Sequence, residues 1–136
     1  MSWFYKKINI SVLLLSIAIL SLSLSTFQAE VSEANQTTRE ASFEMLKTLN
    51  HLQYIIDKEH YGKQNKERYL DGWSDIVFIN DLAIFITPRV DKNAKKLLLL
   101  WKKDFENFGN RDINIELSKA IKDTKEGLKV AIRELK

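Results

Sequence analysis

From Ile8 to Ala29 the chain carries no charged residue, and two lysines, Lys6 and Lys7, stand directly before that stretch. As a helix rising 1.5 Å per residue, roughly 22 residues reach about 33 Å, enough to cross a hydrocarbon layer of about 30 Å. Its densest apolar part is Val12 to Leu24. A basic start followed by such a run marks a secretory signal or a signal anchor. The serines at 11, 16, 21, 23 and 25 dilute the run toward what a cleavable signal tolerates, and Ser23-Leu24-Ser25 offers small residues to a signal peptidase. Against cleavage, Phe27 places a bulky side chain three residues before a cut after Ala29, and no Gly or Pro interrupts the chain before Gly62. Residues 1–29 are therefore expected to be a retained signal anchor, with a cleaved signal peptide as the alternative. A third option, the buried helix of a soluble protein, would require about 105 further residues to enclose a helix that is apolar nearly all round.

Lys6 and Lys7 before the span, and Glu30 and Glu33 after it, put the N-terminus in the cytoplasm by the positive-inside rule. Residues 30–136 are then an extracytoplasmic, periplasmic-side domain of a single-pass cell-membrane protein, periplasmic or secreted if the signal is removed. Trp3, Phe4 and Tyr5 would lie at headgroup level, where aromatic side chains gather.

Beyond the span, apolar residues recur at steps of three and four. Val31, Ala34, Thr38, Ala41, Met45, Leu52 and Ile55 form one stripe, widened by Leu49 and Ile56, whose packing should be firmest from Phe43 to Ile56. Gly62 and the polar run Lys63 to Arg68 read as a turn. Trp73 to Ile86 is ambiguous: its β-branched residues and Asn80-Asp81 allow a hairpin. Asp71, Ser74, Asp75 and Asp81, however, fall opposite Tyr69, Trp73, Ile76, Asn80 and Ala83 at helical spacing, so a buried helix is expected. Thr87-Pro88 supplies an N-cap and a first helical residue. The helix it opens should run through Val90, Ala94, Leu97, Trp101, Phe105 and Phe108 and stop at Gly109-Asn110. A last segment, Asp112 to Leu135, repeats the spacing in Ile113, Leu117, Ala120, Ile121, Thr124, Leu128, Ala131 and Leu135, with Lys119/Asp123 and Lys122/Glu126 pairs on its open face. The expected fold is all-α: an N-terminal membrane-spanning helix followed by an antiparallel bundle of about four helices.

That layout resembles, in topology alone, the outward-facing sensor domains of bacterial chemoreceptors. Those receptors leave the bundle through a second span into signalling helices, which does not follow here, and no motif carries a ligand site across.

Little in the chain points to chemistry. Cysteine is absent, which removes disulfides, thiol catalysis, zinc-thiolate sites and a lipidated cysteine. His51 and His60, nine residues apart, form no HxxxH or HExxH pattern, and a solvated or capping role is expected for both. Asp71, Asp75 and Asp81 could in principle serve acid/base or cation chemistry, but they read as the polar face of a helix. No catalytic, cofactor or metal residue is assigned. Without Lys6 and Lys7 the 21 basic residues fall to 19 against 18 acidic ones, too even a balance for a nucleic-acid binder.

One local bias remains. Arg89, Lys92, Lys95, Lys96, Lys102 and Lys103 cluster on the third helix, where they could meet anionic headgroups or an acidic partner; a solvated face is the simpler reading. Leu97 to Leu100 with Trp101, and the run Ile76 to Ile86, are apolar on more than one side, as a central helix or an interface would be. The expected function is therefore a non-enzymatic single-span envelope protein whose bundle binds a protein partner or another copy, as an accessory subunit or an inhibitor. The alternative is a small-ligand sensor or carrier holding its ligand between helices, near Tyr69, Trp73 and Trp101.

Overall fold

The structure, a computed structural model, describes residues 2–61, 66–105, 107 and 109–135, with side chains from residue 10 onward except those of 66–69. Among the described residues there are four helices and no strand: α1 (Ser2–Tyr61), α2 (Lys66–Ala83), α3 (Pro88–Asp104) and α4 (Arg111–Glu134). The chain divides into two compact units, Met1–Gln36 and Thr37–Lys136.

In the first unit the described apolar side chains all face outward, Leu20 and Leu22 each 69% exposed. None of its most apolar window is buried, whereas a core helix would be buried for the most part. One helix among the described residues is thus long and apolar enough to cross a membrane, a test that a signal sequence also passes. Its hydroxyls are not loose polar groups. Ser16, Ser21, Ser23 and Thr26 each donate to the backbone carbonyl four residues back, at Val12, Ile17, Ile19 and Leu22, over 2.8 to 2.9 Å. The side chains of Trp3, Phe4, Tyr5, Lys6 and Lys7 lie outside the described residues.

The second unit is a helical bundle. Its core takes Met45, Leu49, Leu52, Ile55 and Ile56 from α1, Ile76, Ile79 and Ala83 from α2, Val90, Ala94, Leu97 and Trp101 from α3, and Leu117, Ala120, Ile121 and Leu128 from α4. These are the stripes at steps of three and four, turned toward one another. Neighbouring helices meet in opposite directions along the chain: Thr38 bonds Phe85 and His51 meets Asp75, Asn80 reaches Ala94, Asn93 reaches Asp123, and Gln53 bonds Ser118 while Asn114 bonds Ile56. Two buried hydroxyls, Ser42 and Thr124, are satisfied by the carbonyls of Thr38 and Ala120 on their own helices.

The helix ends follow local chemistry. Thr87 is extended at φ −147° and ψ 155°, its hydroxyl accepts from the Val90 N–H, and Pro88 opens α3. Three boundaries differ from the sequence expectation. Lys66 to Arg68 already belong to α2, so the turn is shorter than the polar run; residues 62–65 lie outside the described residues. The third helix ends at Asp104, before Phe105, rather than at Gly109-Asn110. Asn110 instead starts α4: its side chain accepts from the Asp112 N–H at 2.8 Å, an N-cap where a C-terminal stop was expected.

Residues 73–83 are helical, not a hairpin, but they do not form a helix buried all round. Ile76, Ile79 and Ala83 are buried, while Val77 and Phe78 face out, as do Ile84 and Phe85 in the turn beyond. Helical geometry puts Val77 and Phe78 more than 90° around the axis from the buried row, and Ile84 and Phe85 lie past the end of α2.

Candidate interaction surface

Of the aromatic residues expected near a ligand, Trp101 belongs to the core and Trp73 packs against it. Trp101 is fully buried. Trp73 is half-buried and packs edge-on against Trp101 at 6.5 Å between centroids and against Phe105 at 5.6 Å. Gly72 also lies against the indole, where a β-carbon would overlap the Trp101 ring. The space between α2 and α3 is filled by these rings. Trp101 consequently offers no surface to a ligand or a partner in this conformation; the Tyr69 side chain lies outside the described residues. Gly72 escaped the sequence reading, although a glycine inside a helical pattern beside an aromatic is a signal of close approach.

Arg89, Lys92, Lys95, Lys96, Lys102 and Lys103 are all exposed. Lys95 pairs with Asp91 at 2.6 Å, and Lys103 lies 3.7 Å from Asp104. Leu99, 67% exposed, stands among these lysines. On α4, Glu126 pairs with Lys129 at 2.7 Å.

The histidine and the aspartates separate. His51 on α1 meets Asp75 on α2 at 2.6 Å, a link between helices, whereas Asp71 and Asp81 point to solvent. Burial raises the Asp75 carboxyl above its ordinary value, and the hydrogen bond and charge of His51 offset this only in part. A carboxyl whose value is higher in the folded chain than in the unfolded one favours the fold in acid and loses that contribution as pH rises through its folded value. Wild type should therefore gain stability relative to Asp75→Asn as pH falls through the carboxylate range. Urea unfolding of both proteins at neutral and acid pH tests this, and a difference that does not change with pH would contradict it.

What distinguishes the bundle is the outer side of α2. Leu70 (71% exposed), Val77, Phe78, Ile84 (66%) and Phe85 leave large apolar surfaces uncovered there. Leu70 and Val77 lie two helical turns apart on one side of α2, and Ile84 is exposed in the turn that follows the helix, so the three make a row along the outside. Ser74 and Asp81 run beside that row, and Phe78 and Phe85 lie beyond them on the side of α1. At the Phe85 end, a shallow groove of about 310 Å³ is lined by Thr37, Glu40, Ala41, Glu44, Leu82 and Phe85. The chain matches no protein-family model, curated protein or solved structure. The surface is then read from its own chemistry: it is an uncovered apolar surface with Ser74 and Asp81 interleaved, and its burial would be favourable.

Proposed function

We propose that the chain is a non-enzymatic envelope protein, delivered and held by its apolar N-terminal helix, whose extracytoplasmic bundle binds a protein partner through the outer face of α2, as an accessory subunit or an inhibitor. The observation that carries this reading is the uncovered row Leu70, Val77 and Ile84 with Phe78 and Phe85 beside it, since α2 has already buried its inward stripe in the bundle. Apolar side chains in contiguous array on a monomer mark a contact site. The hydroxyls of Ser16, Ser21, Ser23 and Thr26, bonded back to their own helix, suit a lipid surrounding. The outward placement of the bundle rests on Lys6 and Lys7 ahead of the span.

The test is affinity capture of the full chain from mild-detergent extracts of its own membranes. Wild type should bring down a stoichiometric companion, and Leu70→Glu/Ile84→Glu should lose at least nine-tenths of it. Both positions are exposed, so the substitutions should leave the unfolding free energy within about 0.5 kcal/mol of wild type. Repeated failure to capture any companion, a differently tagged second copy included, or full capture by the double variant, would overturn the reading. Intact mass of the same preparation distinguishes a retained anchor from a cleaved signal.

A further inference from the structure

We infer that the row Leu70, Val77 and Ile84 is the contact line of a homodimer, in which two copies lie side by side with their α2 helices parallel. This rests on the proposed function and names the partner as a second copy of the chain. Three observations lead to it.

The first is extent. With aromatic side chains counted at about 200 Å² and aliphatic ones somewhat less, the five uncovered residues expose on the order of 500 Å², large for a monomer. Two such faces pressed together bury about 1,000 Å², the lower bound for a specific interface. For chains held in one membrane, confinement raises the effective concentration, and an interface of this size suffices.

The second is charge. The Asn80 amide donates to the Ala94 carbonyl at 3.3 Å, fixing where α2 and α3 touch. Asp81 and Lys95 each lie one residue beyond that contact and are exposed, Asp81 on the α1 side of the row and Lys95 on the α3 side, with Lys92 further out on α3. A two-fold axis along the row exchanges left for right, so Asp81 of each copy comes to face the other's Lys92 and its Lys95, which Asp91 of its own helix already engages at 2.6 Å. An antiparallel pairing keeps left opposite left and sets lysines against lysines. The isologous, parallel arrangement is the one the charges favour.

The third is direction. A parallel axis leaves the Thr37 ends of both bundles on the same side, as two chains entering from one membrane need. Antiparallel copies would have them at opposite ends.

The absence of cysteine from the whole chain makes the geometry testable in the full-length protein in its membrane. Leu70→Cys and Ile84→Cys, each alone, should form disulfide-linked dimers under mild oxidation, at least tenfold above Ile115→Cys, a control at an exposed position on α4. Two outcomes overturn the inference. One is cross-linking of Leu70→Cys and Ile84→Cys no greater than that of the control. The other is cross-linking only when the two variants are mixed, which signals antiparallel copies. If the single variants stay monomeric while Leu70→Glu/Ile84→Glu still releases another protein from the capture, self-pairing falls and the partner reading stands. If neither measurement depends on this face, both fall.

Discussion

Trp101→Ala is expected to lower the stability of the bundle by about 3 to 5 kcal/mol, the usual loss when a fully buried Trp or Phe is truncated. The indole is wholly buried, touches Gly72 on α2 and carries Trp73 against its edge, and Trp73 in turn leans on Phe105. Removing it deletes the transfer free energy of the ring and leaves a void that the rigid backbones of α2 and α3 close only in part. For a unit of roughly 100 residues, each kcal/mol moves the midpoint by about 4 to 8 °C, so the melting point should drop by well over 10 °C. Urea and thermal unfolding of the full chain in mild detergent, followed by circular dichroism, read this. A loss below about 1 kcal/mol would mean that the indole does not fill the gap between α2 and α3.

Gly72→Ala is the second large effect, and its sign is the informative part. In a helix interior alanine is favoured over glycine by about 1 kcal/mol, so propensity alone predicts a gain. The alanine methyl would instead run into the Trp101 ring, which is fully buried in the core. Overpacking of this kind costs about 1 to 3 kcal/mol, and the net result should be destabilisation. In a Trp101→Leu background the obstruction is gone and the same substitution should turn neutral or stabilising. A double-mutant cycle of unfolding free energies measures the reversal. Additive behaviour of the two changes would show that α2 and α3 do not meet at this point.

Where the apolar pattern was narrow, the sequence was enough. The stripes of α3 and α4 read at steps of three and four are the residues found inside, from Val90 to Trp101 and from Leu117 to Ala131. Thr87-Pro88 likewise carries its own geometry. Where the pattern was broad it was not enough: Ile76 to Ile86 is apolar on most sides, and periodicity cannot say which side a helix turns inward when nearly every side could serve. The structure chooses Ile76, Ile79 and Ala83, and what remains outside is the candidate surface. The aromatic residues misled for a related reason. A large ring on a packing stripe can fill a gap or line a cavity, and only the approach of Gly72 shows that Trp101 fills. The end of α3 was misplaced because asparagine suits either end of a helix; its bond to the Asp112 N–H decides in favour of the start of α4.

The committed hydroxyl protons of the N-terminal helix bear on lateral assembly. Polar side chains inside a bilayer can draw spans together by donating across to a neighbouring helix. Here Ser16, Ser21, Ser23 and Thr26 spend their protons on their own backbone, and the segment shows its surroundings little besides hydrocarbon. Within a bilayer such a helix would offer a neighbouring span few donors, and any recognition of a companion would fall to the helical bundle.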